Sequence, residues 1–256
     1  MRFKLILQVN RTELGNKIPL SYNYELSSAV YKILSKSDKD FSAWLHENGF
    51  QAGNKKFKLF TFSRLYVPSY RVDGEFMQIL SDTVEWQISF LPERSTQEFI
   101  QGIFQNQTFE LGTRRANVRF SVQEISVLPP PVFVETMTFE TLSPICISLR
   151  RENGKVDYLS PDNPEAAPLI RQNLLNKYFA FYGKEYVVPE FDFDFEVLSK
   201  PKPVLVTIKA GTSQETRGRG FMCRFRMTAP AELMKVAYEA GVGEKGSTGF
   251  GMVKAV

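Results

Sequence analysis

The stretch SVLPPPVF, residues 126–133, divides the chain into two halves of nearly equal length. Pro129, Pro130 and Pro131 forbid helix continuation and exclude a central strand, because proline lacks an N–H and its φ is fixed. To the left of the prolines, alternation predicts a strand over 3–9 and helical spacing predicts helices over 23–36 and 39–47. Then come KFKLFTFSRL (56–65), read as one strand, and VEWQISFL (84–91), where Val84, Trp86, Ile88 and Phe90 share a face. A helix around TQEFIQGIF (96–104) and a strand around NVRFSVQEISVL (117–128) complete the half. That order, β-α-β-β-α-β, is the split unit of ferredoxin-like folds.

To the right, the same order can be read again. Strands fall within 133–149, a long helix within 165–183, and further strands at EFDFDFEVL (190–198), KPVLVTIKAG (202–211) and RGFMCRFRMTA (219–229). A helix over 230–240 and a closing strand end the chain. The expected fold is therefore α+β, with two tandem ferredoxin-like (RRM-like) domains over 1–128 and 132–256. The halves share a pattern of elements, with no residue-level repeat. Neither carries the aromatic motifs with which an RRM stacks bases, so plain sheet-face stacking is not favoured.

Composition narrows the class. Hydrophobic content of 43% and charged content of 23% are those of a globular protein, and no apolar run reaches the ~18–20 residues needed to span a bilayer. The start MRFKLILQVN is too short and polar for a signal peptide, so a cytoplasmic location without membrane association is expected. Cys146 and Cys223 lie in apolar runs without C-x-x-C spacing, and there is a single histidine. Neither a disulfide framework nor a metal site follows, and no cofactor is expected. The formal net charge of +4 permits a polyanionic partner without demanding one.

The densest signal is GVGEKGSTGFG, residues 241–251, with glycine at Gly241, Gly243, Gly246, Gly249 and Gly251. A phosphate-binding P-loop fails here, because Ser247 stands where lysine is required and the run leaves a helix to enter a strand, the reverse of the P-loop order. A helix C-cap accounts for one or two glycines only. Close approach of bare backbone to another chain, such as a sugar-phosphate backbone, accounts for the set.

Three side chains in the first half carry chemistry together that none carries alone. Tyr31 lies off the buried stripe Leu26, Ala29, Val30, Ile33 and Leu34 of its helix, where a tyrosine is ordinarily amphipathic surface. His46 ends the short second helix and titrates near neutrality when unperturbed. Lys56 and Lys58 sit on one face of the following strand, usually a place for exposed charge. Metal-free RNA cleavage needs a base for the ribose 2′-hydroxyl, an acid for the leaving 5′-oxygen and a cation for the pentacoordinate phosphorus. A phenol, an imidazole and an ammonium suit those tasks.

The glycine run resembles the signature of CRISPR-associated repeat-processing endoribonucleases, the Cas six family of the RAMP superfamily. That signature is Gly-hydrophobic-Gly twice around a short spacer, and here it reads Gly241, Val242, Gly243, then EKGST, then Gly249, Phe250, Gly251. The flanking runs ETLSPICISL and KLFTFS are also similar to family members, so the likeness spans the chain. The resemblance implies two ferredoxin-like domains and cleavage of CRISPR precursor RNA within its repeats. It also implies a 2′,3′-cyclic phosphate or 3′-phosphate and a 5′-hydroxyl as product ends. By position it assigns Tyr31 and His46 to catalysis, and Lys58 in preference to Lys56. It points to RNA contacts by the glycine loop, with Lys245, Ser247 and Thr248 as helpers. Arg217, Arg219, Arg224 and Arg226 in ETRGRGFMCRFRM can line a second RNA groove or a solvated hairpin. The partner expected is repeat RNA, single-stranded or hairpin, with other CRISPR effector subunits and a homodimer left open. The alternatives are a non-catalytic repeat-RNA-binding or backbone subunit of an effector complex, and a RAMP-like assembly adaptor.

Overall fold

The structure, a computed structural model, describes residues 1–186, 191–208 and 213–256. The first part of the chain runs β1 (Arg2–Asn10), α1 (Asn23–Ser37), α2 (Lys39–Glu47), the hairpin β2 (Phe50–Ala52) and β3 (Lys55–Phe57), then β4 (Phe60–Phe62) and β5 (Thr83–Phe90). It continues through α3 (Glu93–Gln105), β6 (Thr108–Gly112) and β7 (Asn117–Leu128). β1 and β4 to β7 form one antiparallel sheet in the spatial order β4-β5-β1-β7-β6, while β2 and β3 pair only with each other. Setting β6 aside, strand order second-third-first-fourth is that of the split βαβ unit. A small sheet of Lys17–Pro19, Phe76–Ile79 and Tyr70–Asp73 is an addition that the sequence reading lacked.

Alternation explains why this sheet closes on a core. Phe3, Leu5, Leu7 and Val9 of β1 and Val84, Trp86, Ile88 and Phe90 of β5 are buried, with Trp86 fully enclosed. Each such side chain contributes about 1.5–3 kcal/mol on burial. The stripe Leu26, Ala29, Val30, Ile33 and Leu34 of α1 covers the sheet beside Phe99 and Ile103 of α3. The two helices approach so closely at Gly102 that a Cβ there would lie 2.0 Å from the Ile33 carbonyl oxygen.

The second part repeats the plan. β8 (Thr136–Thr141), α4 (Ala166–Tyr182), β9 (Asp194–Val197), β12 (Arg224–Thr228), α5 (Ala231–Ala240) and β13 (Val253–Ala255) give the sheet order β9-β12-β8-β13, again second-third-first-fourth. The hairpin β10 (Lys202–Ile208) and β11 (Thr216–Met222) is inserted before β12. Of the strands expected over 190–198 and 202–211, residues 190 and 209–211 lie outside the described residues. The fold is α+β, with two ferredoxin-like units in tandem, and Pro129–Pro131 run without regular structure between β7 and β8. Buried Arg2 of β1 bridges the units: Nη1 donates to Val253 O (2.7 Å), Nη2 to Tyr238 O (2.6 Å), and the guanidinium stacks 3.6 Å over the Tyr238 ring.

One expected element is corrected. KFKLFTFSRL is not a single strand but breaks at Leu59, whose φ of 54° lies in the left-handed region. Lys56 and Phe57 pair with β2, whereas Phe60–Phe62 pair with β5. The kink turns Leu59 into the second core while Phe60 and Phe62 enter the first. A left-handed leucine is strained, and its surroundings must hold it there.

Candidate active site

The kink at Leu59 aims Lys58 across the end of α2. That helix starts well, with the Asp38 carboxylate accepting from Phe41 N–H (2.8 Å), and its last carbonyls are left without intrahelical partners. Lys58 Nζ donates to His46 O at 2.7 Å and Lys56 Nζ to Glu47 O at 3.1 Å. Gly49 clears the way for the lysine stem, since a Cβ there would sit 2.5 Å from Phe57 O and 3.0 Å from Lys58 Cδ. The His46 ring is exposed and meets the Tyr31 ring edge-to-face, with centroids 4.9 Å apart. Tyr31 in turn packs edge-to-face on Phe60 at 5.8 Å. The phenol, the imidazole and the ammonium are therefore neighbours, brought together by three different elements.

Their electrostatics differ. Burial raises the Tyr31 pKa above the ordinary phenol range, with the Ser247 side chain acting in the opposite direction through a hydrogen bond. Burial, then repulsion from Lys56, pulls Lys58 down to about 8. Lys58 is half-buried and Lys56 exposed. A groove lined by Tyr31, Lys32, Lys36, Lys39 and His46 lies on one side, and a cleft of about 310 Å³ lined by Lys58, Lys245 and Ser247 on the other.

The glycine run forms the far wall of that cleft, and its glycines face inward. Gly241, Gly243, Gly249 and Gly251 are buried with φ of 84°, 78°, 78° and 77°. A Cβ on Gly243 would lie 2.5 Å from Cys146 O, one on Gly249 2.5 Å from Phe62 Cε2, and one on Gly251 2.1 Å from Val242 O. Their bare backbone is required by the protein's own chain, so the expectation that these four glycines touch RNA phosphates is corrected. The backbone that reaches the surface is Lys245, with φ of 58°, and the 3-10 turn of half-buried Gly246, Ser247 and Thr248.

Polar side chains from three elements hold this loop. Asn23 Nδ2 at the start of α1 donates to Gly249 O (3.1 Å), and Thr61 Oγ1 of β4 to Phe250 O (2.8 Å). Lys177 of α4, only 4% exposed, donates to Gly241 O (2.6 Å), Gly243 O (2.8 Å) and Ala240 O (3.3 Å). Burial pulls its ammonium down to about 7, with Glu244 opposing. Asn173, one turn earlier on α4, also lines the cleft. The sequence reading missed both, although a signal was present. They occupy positions of the inward stripe Ala166, Ile170, Asn173, Leu174, Lys177, Tyr178, where apolar residues belong.

From the loop the basic surface continues outward. Lys245 Nζ donates to Tyr158 Oη (3.0 Å), which donates to Arg217 O (3.2 Å). Burial opposes the Lys245 charge, but Tyr158, Cys146 and Glu244 outweigh it and raise the pKa. Arg217 and Arg219 are exposed on β11 and line a groove of about 550 Å³ with Tyr158 and Leu205. Arg224 and Arg226 do not share it. They lie past Cys223 on β12, in the other sheet, where Arg226 pairs with Glu196. Cys146 and Cys223 are both buried free thiols. Among the described residues no group of three or more His, Cys, Asp or Glu is gathered, and no helix is long and apolar enough to cross a membrane.

Comparison with known proteins fits this geometry to a family. A family model described as CRISPR associated protein Cas6, C-terminal, matches residues 128–255, and one described as CRISPR-associated protein Cas6, N-terminal, matches 17–126. The chain is 30% identical over 261 residues to CRISPR-associated endoribonuclease Cas6 1 of Methanocaldococcus jannaschii, covering 99% of this chain and 92% of that one. It is 31% identical over 257 residues to CRISPR-associated endoribonuclease Cas6 of Pyrococcus furiosus, covering 99% and 89%. Among solved structures, a Cas6-related protein from Pyrococcus furiosus superposes with a TM-score of 0.81 at 28% identity, covering 100% of this chain and 98% of that one. A RAMP protein described as binding different RNA substrates gives 0.80 at 26% identity, covering 100% and 99%. The chain belongs to the Cas6 family of CRISPR-associated proteins.

Proposed function

We propose that this protein is a cytoplasmic, metal-independent endoribonuclease that cuts CRISPR precursor RNA within its repeats. The observation that carries the reading is the meeting of Tyr31, His46 and Lys58 at the end of α2, with Ser247 of the glycine loop against the phenol. RNA brings its own nucleophile in the 2′-hydroxyl, so the chain must supply proton transfer and a positive charge. Tyr31 hydrogen-bonds the attacking 2′-hydroxyl. Because burial keeps the phenol protonated, Tyr31 serves as base only from the phenolate that remains once its own proton has gone to solvent, and the 2′-hydroxyl proton then restores the phenol. His46 gives a proton to the leaving 5′-oxygen, and the Lys58 ammonium offsets the charge gathering on the non-bridging oxygens. The O–P bond to the 2′-oxygen forms as the bond to the 5′-oxygen breaks, leaving a 2′,3′-cyclic phosphate and a 5′-hydroxyl.

The RNA backbone is gripped by Lys245, Ser247 and Thr248 on the loop and by Arg217 and Arg219 on β11, all on the surface that runs out from the cleft. The catalytic groups belong to the unit before the proline run and the grip largely to the unit after it. The test is incubation with repeat RNA in EDTA. Site-specific cutting is expected, abolished by a 2′-deoxyribose at the nucleotide preceding the cut. Cutting that survives that substitution, or that requires added metal, contradicts the reading.

A further inference from the structure

We propose that the cleft between β3, β4, α4 and the glycine loop is a nucleobase pocket, and that Asn173 reads an adenine held there next to the scissile linkage. This rests on the cleavage reading above and adds to it a determinant of sequence.

The cleft has the size of a site for one planar ring. Its volume is about 310 Å³, its apolar lining comes from Phe57, Leu59 and Phe60, and the rest of the lining is mostly polar or charged, five lysines among them. Lys58 and Ser247 belong both to this cleft and to the cluster around Tyr31 and His46, so a base entering it is joined to the nucleotide at the cut. Lys55, Lys56 and Lys245 make its mouth cationic, as a sugar-phosphate backbone requires. Glu244, the acidic residue of the lining, has its carboxylate engaged by Ser148 Oγ at 2.6 Å.

Asn173 is the part of the wall without a structural employment. It is 8% exposed, it projects from the inward stripe of α4, and its Oδ1 is buried with no hydrogen-bond partner. The neighbouring Lys177 cannot supply one, because its ammonium already donates to Ala240 O, Gly241 O and Gly243 O. Buried polar atoms are normally paired, so an orphaned amide in a cleft wall points to an absent partner. Rotation about the last side-chain bond presents either end of the amide to the cleft. An amide meets adenine in bidentate fashion, accepting from the N6 amino group and donating to N7. Single-stranded RNA can splay a base out to be read in this way.

The experiment is single-turnover cleavage of repeat RNAs carrying A, C, G or U at each nucleotide flanking the cut, by the wild-type protein, Asn173→Ala and Asn173→Asp. Wild type is expected to favour adenine at one flanking nucleotide by roughly tenfold or more in kcat/KM. The alanine variant should bring that ratio to within about twofold, and the aspartate variant, isosteric but without the N–H donor, should also reduce it. Thermal unfolding monitors the fold, and the aspartate variant carries the test if alanine does not fold. No base preference in wild type, an undiminished ratio in the variants, or equal losses across all four bases would overturn the proposal. If wild type cuts no RNA the cleavage reading fails separately, and the same ratios are then read from affinities for the four uncut RNAs.

Discussion

The two sides of the candidate site are built in opposite ways. On the amino-terminal side Tyr31, His46 and Lys58 are half-buried or exposed, and Lys58 Nζ, bonded to His46 O, keeps N–H groups for a ligand. On the carboxy-terminal side four glycines are buried, and the carbonyls of Gly241, Gly243, Gly249 and Phe250 are each held by a side chain from another element. On the proposed reading the first side presents the chemistry and the second fixes where it happens. Strain marks their meeting, since Leu59 and Lys245 are the non-glycine residues with positive φ among the described ones, and both line the cleft.

The sharpest test of this contrast is Lys58 against Lys56. Removing a donor that offsets transition-state charge costs ~10²–10³ in rate. Lys58→Ala is expected to show that loss in single-turnover cleavage, and Lys56→Ala less than about a tenth of it. The pH profile separates them further. Lys58 is held at about 8, so its ammonium is lost as pH rises through that value, and kcat/KM of wild type should fall there. Lys58→Ala should lack that limb. Lys56→Ala, by removing repulsion, should move it to higher pH. Identical profiles for the three proteins would break the assignment.

The second side should answer in stability rather than chemistry. Gly251→Ala puts a Cβ 2.1 Å from Val242 O at a φ of 77°. Strain alone costs about 1–3 kcal/mol, and the clash adds to it. Gly154→Ala, at a φ of 79° with nothing within 4 Å of the added Cβ, is the control that carries the strain without the clash. Denaturant unfolding should rank Gly251→Ala well below Gly154→Ala, and equal losses would mean that close packing of the loop is unimportant.

The smallest effect concerns Lys177. Its folded pKa of about 7 lies below the ordinary lysine value of 10.5, so over that window the unfolded chain binds more protons and stability rises with pH. The gain is about 1 kcal/mol between roughly pH 7 and 8. Unfolding midpoints of wild type should climb over that range, and Lys177→Met should remove the lysine's share of the slope. An unchanged slope would show that the ammonium does not bear the cost of burial.

Much of this was legible in the sequence, because the periodicities of β1, β5, α1 and α5 are strong and the proline run separates two copies of one pattern. Tyr31 and His46 could be picked out by residue type and place, Tyr31 off the buried stripe in the middle of its helix and His46 in the last turn of a short one. The break at Leu59 could not, since KFKLFTFSRL alternates as a continuous strand would and only the competing cores on either side force the kink. The role of the glycines was misread for a related reason. Positive φ is visible in composition, but whether bare backbone faces a ligand or the chain itself depends on partners such as Cys146 and Phe62, far away in sequence. Lys177 and Asn173 were the recoverable omission, polar residues in an apolar register.

The most direct measurement is the single-turnover rate and RNA affinity of His46→Ala in EDTA, side by side with wild type. The account predicts that cleavage slows by ~10²–10⁴ while the dissociation constant for uncut repeat RNA changes by no more than about threefold. Rate and affinity lost in equal proportion would contradict it.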